Sequence, residues 1–249
     1  RDRAVPYKIY LPAARTPAPV VIFSHGLGGS REAAGYLLEY LAANGFVAVA
    51  IQHPGSDESL LRDGGGSQLP PAARLRPGAG DSSVAAIARF GDVRFVIDQL
   101  EAENRSGRFA GRLDLSRLGM SGHSYGALTT LVAVGQRLAG GSDDPFRDDR
   151  IDAAIVYSPN APRNQDAARA LADVHTPILH FTGTEDRSRF DLEPTPEGRQ
   201  IPFRAITGAD QYLVVFDGGE HMIFSGRVQA RGSMTAAQAA QTEAILRES

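Results

Sequence analysis

The 249-residue sequence contains no cysteine and no tryptophan. Without thiols the chain has no disulfide, no thiolate metal site and no cysteine nucleophile. Aromatic residues make up only 7% of the chain, so no large stacking platform for a ligand is indicated. The lack of cysteine is compatible with either redox compartment. The chain starts at Arg1-Asp2-Arg3 with no visible signal peptide. A cytoplasmic location and, after removal of a leader, an extracytoplasmic one therefore both stay open.

Blocks of one charge and long apolar runs are also missing. Basic residues number 26 and acidic residues 29, so the net charge is only −3. No basic block indicates a nucleic-acid partner. The longest apolar runs, such as 20–23 and 46–51, are far too short to span a bilayer. We therefore expect neither nucleic acid nor a transmembrane segment, and the oligomeric state has no signature in the sequence.

Short apolar runs alternate with Gly-containing turns and helical patterns along the chain. Strands are predicted at 5–11, 20–24, 46–51, 117–120, 151–157, 178–182 and 212–216, and helices at 31–44, 84–103, 125–138 and from 235 onward. This alternation predicts the α/β class, with a mostly parallel central sheet and helices on both faces. The length suits a single domain over 1–249. Ligands bind such sheets at the carboxyl ends of the strands, so the chemistry is expected just after each apolar run.

Two segments do not fit this alternation. Residues 54–83 are rich in Gly, Pro, Ser and Asp, and residues 187–208 contain several prolines. Long irregular segments in compact domains are often functional. We predict that both border a substrate cleft or form part of a cap, although a plain surface loop is the simpler reading of the first.

The pentapeptide Gly122-His123-Ser124-Tyr125-Gly126 has the pattern G-x-S-x-G. It follows a predicted strand and precedes a predicted helix, which is the context that exposes a nucleophilic serine on a tight turn. The N-terminus of the following helix would face developing negative charge. The alternative is a Gly-rich turn in which the serine only caps a helix.

A serine nucleophile needs a base, and only three of the six histidines follow Ser124. His175 lies at the start of a predicted strand, at the wrong end for the site. His180 lies inside an apolar run and is expected in the core. His221 follows the last predicted strand and the turn 217–220, at a carboxyl end, and is predicted to be the general base.

The base needs an acid that orients it, in the chain order Ser, acid, His. Glu185 and Asp186 both follow the predicted strand 178–182. We predict Asp186 as the acid, with Glu185 as the alternative. Either carboxylate could also be a solvated turn residue.

Residues 24–30, Ser-His-Gly-Leu-Gly-Gly-Ser, follow the second predicted strand. A loop at this place supplies one N–H group of an oxyanion hole, and the residue after the nucleophile supplies the other. We assign these N–H groups to Leu27 and Tyr125. His25 is expected to be a structural partner of the loop, and Gly26 belongs to the flexible backbone that the path requires.

Further residues are expected at the border of the cleft. His53 and Asp57 follow the third buried strand and could contact substrate. His25, Gly26 and His123 are further candidates for substrate binding. Too few ligands at a suitable spacing are present to predict a metal site.

Together these motifs resemble a known group of enzymes. In chain order they are Ser-His-Gly-Leu-Gly-Gly, His-Pro-Gly-Ser-Asp, Gly-His-Ser-Tyr-Gly, Thr-Gly-Thr-Glu-Asp and Gly-Glu-His. This order resembles the α/β-hydrolases related to dienelactone hydrolase and to platelet-activating-factor acetylhydrolase. The resemblance runs from Tyr7 to about Ser225 and implies the α/β-hydrolase fold and a serine esterase that needs no cofactor. Dienelactone hydrolases use cysteine, which is absent here, so the resemblance to that enzyme concerns fold and not substrate.

The expected activity is hydrolysis of small to medium acyl esters or lipid-like esters through an acyl-enzyme. A polyester hydrolase of the cutinase type, an acyltransferase and an amidase would use the same triad. Leu27 stands where cutinase-like polyester hydrolases usually carry an aromatic residue, which disfavours aromatic polyesters. A binding module without catalysis is the remaining alternative, and the intact set of triad residues disfavours it.

Overall fold

A computed structural model describes residues 3–62, 82–140, 145–188, 195–227 and 234–249. The strands are β1 (Tyr7–Tyr10), β2 (Ala18–Ser24), β3 (Val47–Ile51), β4 (Leu113–His123), β5 (Ala153–Tyr157), β6 (Ile178–Glu185) and β7 (Gln211–Glu220). The α-helices are α1 (Gly35–Ala43), α2 (Ser59–Arg62), α3 (Ser82–Ser106), α4 (Tyr125–Ala133), α5 (Ala167–Ala170), α6 (Ile201–Ala205) and α7 (Ala236–Glu248).

The strands form a seven-stranded sheet in the order β1-β3-β2-β4-β5-β6-β7. Among the described strands, β1 pairs antiparallel with β3, and the other pairs are parallel. The chain reverses direction across the sheet between β3 and β4, which lie on opposite sides of β2. Such a reversal opens a crevice at the carboxyl ends of the central strands. The prediction of a mostly parallel sheet is confirmed.

Helices cover both faces of the sheet, as predicted. The stripe Val93, Val96, Ile97 and Leu100 of α3 packs with Leu131 of α4 in one apolar cluster. The second cluster contains side chains of α1 and α7 and lies on the other face. Because both faces are covered, the central strands are buried on both sides, and this explains their continuous apolar runs.

Several elements differ in extent from the sequence prediction. Helix α1 begins at Gly35 and not at Arg31, because Ala34 adopts a left-handed φ of 54° and donates its N–H to Ser225 at 3.0 Å. Helix α4 ends at Ala133, although the pattern continues to 138. Strands β6 and β7 run on to Glu185 and Glu220, beyond the predicted ends at 182 and 216, and β7 includes the predicted turn 217–220.

Parts of the two irregular segments are described. Residues 54–62 form turns and α2, and 63–81 lie outside the described residues. In 187–208, the described part contains a 3₁₀ turn at Gly198–Gln200 followed by α6. The cap or cleft role of both segments stays a prediction, as does the single domain. None of the helices in the described part of the chain is long and apolar enough to cross a bilayer.

Candidate active site

Ser124 lies at the tight turn between β4 and α4. It adopts φ 57° and ψ −112°, and a conformation at positive φ costs a non-glycine residue roughly 1–3 kcal/mol. Its N–H donates to the carbonyl oxygen of Tyr157 at 2.9 Å, which ties the turn to β5. A strained serine at the carboxyl end of a central strand matches the geometry of a turn that presents a nucleophile.

Two glycines allow the backbone to make this turn. A Cβ atom on Gly126 would overlap the carbonyl oxygen of Ser24 in β2, and one on Gly122 would overlap the carbonyl group of Gly126. The atoms in the way are backbone atoms, so no side-chain rotation relieves either overlap. The G-x-S-x-G spacing therefore reflects the close packing of α4 against β2 and β4.

We expect Gly126→Ala to lower the free energy of unfolding by more than ~3 kcal/mol, at the upper end of overpacking costs. A matched control is Gly91→Ala in α3, where an added Cβ has no neighbour within 4 Å. Alanine there should stabilise the protein by roughly 0.5–1 kcal/mol, because glycine disfavours helix. Urea unfolding followed by circular dichroism measures both values. Similar stabilities of the two variants would contradict the packing argument.

The side chains predicted as a triad lie within hydrogen-bonding distance of one another. His221 Nε2 is 3.0 Å from Ser124 Oγ, and His221 Nδ1 is 2.8 Å from Asp186 Oδ1. Asp186 directly follows β6, and His221 directly follows β7, so both reach the edge of the sheet where Ser124 lies. An anionic Asp186 requires Nδ1 to carry the proton, which leaves the lone pair of Nε2 facing the serine hydroxyl.

The alternative acid, Glu185, occupies a different environment. It is the last residue of β6, and its side chain is 58% exposed. Its carboxylate lies 3.7 Å from the guanidinium of Arg187. Asp186, in contrast, is fully buried. The geometry therefore separates two neighbouring carboxylates that the sequence left as alternatives.

Besides His221, the Asp186 carboxylate has a hydrogen-bond donor and a charged partner. Thr182 Oγ1 donates to Oδ2 at 2.8 Å, and the Nε of Arg199 lies 3.3 Å from Oδ1. Burial alone would raise the pKa of this carboxyl group. The hydrogen bond from His221 and the charge of Arg199 outweigh burial and lower the pKa of Asp186 to about 2. Asp186 is therefore ionised at neutral pH and positioned to orient the imidazole.

Arg199 was not predicted from the sequence, where it lies within the irregular segment 187–208. Its side chain is 2% exposed and donates to the carbonyl oxygen of Ser158 at 3.3 Å and to the side chain of Asn160. A buried arginine beside an aspartate is a structural partner that only the folded chain brings together. No local sequence pattern distinguishes it from the other arginines of the chain.

His123, which precedes the nucleophile, contacts the predicted base. Its Nε2 lies 2.8 Å from the backbone oxygen of His221, and the two rings are 4.8 Å apart. Burial, and then the neighbouring His221, lower the pKa of His123 to about 3. The neutral ring donates its Nε2 proton to that oxygen and so links the backbone of the base to the serine turn. His123 thus has an internal partner, and the substrate contact predicted for it stays a prediction.

The loop after β2 is held by two hydrogen bonds to one of its carbonyl oxygens. The carbonyl oxygen of Gly26 accepts hydrogen bonds from Gly29 N–H at 3.0 Å and from His25 Nδ1 at 2.7 Å. In a planar trans peptide the N–H points away from the carbonyl oxygen. The Gly26 carbonyl and the Leu27 N–H belong to one peptide. The two donors that hold the carbonyl therefore also fix the orientation of the N–H.

Neither predicted oxyanion donor is used elsewhere among the residues that the structure describes. The N–H of Tyr125 belongs to the first turn of α4, where no intrahelical acceptor exists. The N–H of Leu27 has no backbone acceptor there, whereas Gly28 donates to Ser56 at 2.9 Å. Two N–H groups that start without partners are suited to binding an oxyanion.

Two further histidines predicted near substrate are fully buried. His25 accepts a hydrogen bond from the His53 N–H at 3.2 Å, and burial lowers the pKa of His25 to about 3. The ring nitrogens of His53 contact Ser24 and Asp92. Both rings thus have internal partners, and the substrate contact predicted for them stays a prediction. Asp57 is bound by Gln52 and Ser59.

In the described ranges, no three His, Asp or Glu side chains are arranged to hold a metal ion.

Comparisons with known proteins agree with this architecture. Residues 11–61 match the family model described as platelet-activating factor acetylhydrolase, isoform II. No curated protein sequence matches the chain. A crystal structure from Klebsiella pneumoniae, assigned as a dienelactone hydrolase, is similar with a TM-score of 0.61 and 18% identity, over 98% of this chain and 97% of that one.

A second solved structure is the ferulic acid esterase from Streptomyces cinnamoneus, with a TM-score of 0.61 and 24% identity. The alignment covers 94% of this chain but only 66% of the esterase. Structural similarity at this level of sequence identity shows the fold and not the substrate. The parallel sheet, the serine turn after β4 and these likenesses together show that the chain has the α/β-hydrolase fold.

Proposed function

We propose that the protein hydrolyses carboxylic esters, with Ser124 as nucleophile, His221 as general base and Asp186 as the acid that orients the base. The observation that carries this proposal is the continuous hydrogen-bonded series from Asp186 to Ser124, with distances of 2.8 and 3.0 Å. It ends on a strained serine, and the N–H groups of Leu27 and Tyr125 have no partner among the described residues. Nucleophile, base and oxyanion donors in one place are the requirements of acyl transfer.

Acylation begins when Ser124 Oγ attacks the ester carbonyl carbon while His221 Nε2 takes the hydroxyl proton. The carbonyl electron pair moves onto oxygen, and the N–H groups of Leu27 and Tyr125 bind the resulting oxyanion. When the tetrahedral species collapses, the bond to the alkoxide breaks. The leaving oxygen takes the proton from His221 Nε2, and an alcohol departs from the acyl-enzyme.

Deacylation repeats these steps with water as the nucleophile. His221 Nε2 takes a proton from water as its oxygen attacks the acyl carbon. The second tetrahedral species collapses, Ser124 Oγ leaves and regains the proton, and the carboxylic acid is released. Asp186 stays ionised throughout and stabilises the imidazolium that forms in each half.

Esters of small to medium acyl chains, including lipid-like esters, are the proposed substrates. The matched family segment, residues 11–61, includes the oxyanion loop after β2. Its description names an acetylhydrolase, and the solved enzyme from Streptomyces cinnamoneus is named an esterase. Both names refer to acyl-oxygen chemistry, which favours esters over amides for this chain.

The test is hydrolysis of p-nitrophenyl esters from acetate to dodecanoate by the native protein, together with labelling by a fluorophosphonate probe. We expect hydrolysis with a chain-length optimum and a single labelled peptide that carries Ser124. Matched p-nitroanilides should react far more slowly, because an amide is a poorer acyl donor. Added methanol should yield little methyl ester if water is the acceptor.

The other outcomes have distinct meanings. Comparable rates on amides would favour an amidase, and predominant transfer to methanol would favour an acyltransferase. Absence of both ester hydrolysis and probe labelling would contradict a serine hydrolase of any kind. Labelling at a serine other than Ser124 would contradict the assignment of the nucleophile.

A further inference from the structure

A second Ser–His–Asp series lies in the interior, behind the oxyanion loop. Ser24 Oγ is 3.0 Å from His53 Nε2, and His53 Nδ1 is 2.9 Å from Asp92 Oδ2. The exposed fractions of the three residues are 0%, 0% and 2%, so no substrate reaches them. We name these three residues the inner chain. Its burial excludes a second catalytic triad and requires another reason for its presence.

The guanidinium of Arg89, which extends from α3, meets this inner chain. It is 1% exposed and donates to the hydroxyl of Ser24 at 2.8 Å and to the carbonyl oxygen of His25. With an anionic Asp92, the His53 Nδ1 proton points to the carboxylate, and His53 Nε2 then accepts the Ser24 proton. The hydrogen bonds therefore all run one way: Arg89 donates to Ser24, Ser24 to His53 and His53 to Asp92.

Arg89 also reaches the other half of the predicted oxyanion hole. Its Nε donates to Thr129 Oγ1 of α4 at 2.7 Å, and its guanidinium carbon lies 4.4 Å from the centre of the Tyr125 ring. Tyr125 is the first residue of α4 and carries one oxyanion donor. His25, bound by the same guanidinium, directly precedes the Gly26-Leu27 peptide that carries the other.

A buried guanidinium is costly unless its donors are satisfied, and apolar packing often gives equal stability. Core packing alone therefore does not account for Arg89. A planar fork of five N–H donors, in contrast, is suited to fixing several segments at defined distances. Here it joins the end of β2, the oxyanion loop and the start of α4.

We propose that Arg89, oriented by the inner chain, is a positioning residue that sets the separation of the Leu27 and Tyr125 N–H groups. The inference rests on the proposed esterase function. Arg89 does not touch substrate. It acts by holding both donors at the distance that a tetrahedral oxyanion requires, and displacement of either donor weakens transition-state binding more than substrate binding.

Arg89→Lys keeps the charge but removes the fork, and it tests the proposal. We expect kcat to fall about 10- to 100-fold with little change in KM, less than the ~10²–10³-fold cost of losing a donor outright. The spectroscopic readout is the carbonyl stretch of an acyl-enzyme formed from a slowly hydrolysed, carbon-13-labelled ester. Weaker hydrogen bonds to the acyl oxygen should move this stretch to higher frequency in the variant.

A matched pair of serine variants serves if Arg89→Lys does not fold. Ser24→Ala removes a buried hydroxyl that binds Arg89 at 2.8 Å, and Ser121→Ala removes a buried hydroxyl of β4 that binds the carbonyl oxygen of Ile22 at 3.1 Å. Only Ser24 belongs to the inner chain. We expect Ser24→Ala to lower kcat and raise the frequency of the carbonyl stretch, whereas Ser121→Ala should lower Tm and leave that frequency at its native value.

Two results would overturn the inference in distinguishable ways. If Arg89→Lys and Ser24→Ala lower Tm but leave kcat and the carbonyl stretch unchanged, Arg89 has a structural role only, and the esterase proposal stands. If neither esters nor a fluorophosphonate acylate the native protein, the proposed function fails, and this inference fails with it.

Discussion

Ser124→Ala is expected to reduce kcat for p-nitrophenyl ester hydrolysis by ~10⁵- to 10⁶-fold, the scale on which serine nucleophiles contribute. Alanine removes the proposed attacking oxygen but leaves His221 and the proposed oxyanion donors in place. Residual catalysis of about 10³- to 10⁴-fold over water is therefore expected, from binding and oxyanion stabilisation alone. The variant should fold, because alanine is smaller than serine and keeps the backbone hydrogen bond from residue 124 to Tyr157.

Single-turnover and steady-state kinetics measure this loss, with circular dichroism to establish equal folding. Ser116→Ala is the matched control, since this exposed serine lies near the opposite end of β4 and binds Asp114. It should retain native kcat. Native activity in Ser124→Ala would assign the hydrolysis to another group or to a contaminant. A parallel loss in Ser116→Ala would indicate a general defect and not a missing nucleophile.

The buried strands and the class of fold could be predicted because they depend on local composition. Strand β3 is buried at all of its five positions, and its sequence is a continuous apolar run. Strand β4 was predicted too short, because Ser116 and Arg117 are exposed in its first half and break the apolar pattern. Exposed strand residues that alternate irregularly carry little signal in a single sequence.

Glycine caused the errors at the ends of β6 and β7. Gly183 pairs with Phe216, and a Cβ atom on Gly183 would overlap the backbone of Gly219. The glycines here allow two strands to approach closely, whereas the sequence alone favoured turns at the same positions. Both roles require a residue without a Cβ, so composition cannot separate them.

The three residues predicted as a triad could be named because the order Ser, acid, His and the position after each strand are linear features. The physical difference between Asp186 and its alternative Glu185 needed the fold, since it is a difference in burial. The buried positions of Arg89 and Asp92 could also have been predicted from the sequence. Both lie on the buried stripe of α3, and a charged residue within an apolar stripe indicates a buried polar contact. No local pattern indicates the burial of Arg199.

Asp186→Asn is expected to lower kcat by ~10³- to 10⁴-fold, in line with the loss of a triad carboxylate that leaves the geometry intact. The imidazolium formed in the transition state loses its counter-charge. The guanidinium of Arg199 then lies beside a neutral amide in place of the carboxylate. KM should change little, because Asp186 does not touch substrate. Steady-state kinetics on one p-nitrophenyl ester measure the two parameters separately.

The same substitution has a signature in acid stability. The pKa of Asp186 is about 2 in the folded protein against an ordinary value of 3.8. A lowered folded pKa stabilises the protein above the unfolded pKa, and this contribution disappears as pH falls through the folded pKa. The difference amounts to about 2 kcal/mol at neutral pH by linkage. It should be lost from the native protein between about pH 4 and pH 2 and be absent in Asp186→Asn.

Glu185→Gln is the matched control, because it makes the same chemical change one residue away on an exposed side chain. It should retain kcat within about threefold of native and keep the native pH dependence of unfolding, as surface changes do. Urea unfolding at pH 5 and pH 2.5 measures the difference in free energy of unfolding between the native protein and each variant. If this difference for Asp186→Asn is the same at both pH values, it would contradict an ionised, charge-stabilised Asp186. A large kcat loss in Glu185→Gln with none in Asp186→Asn would move the orienting acid to Glu185.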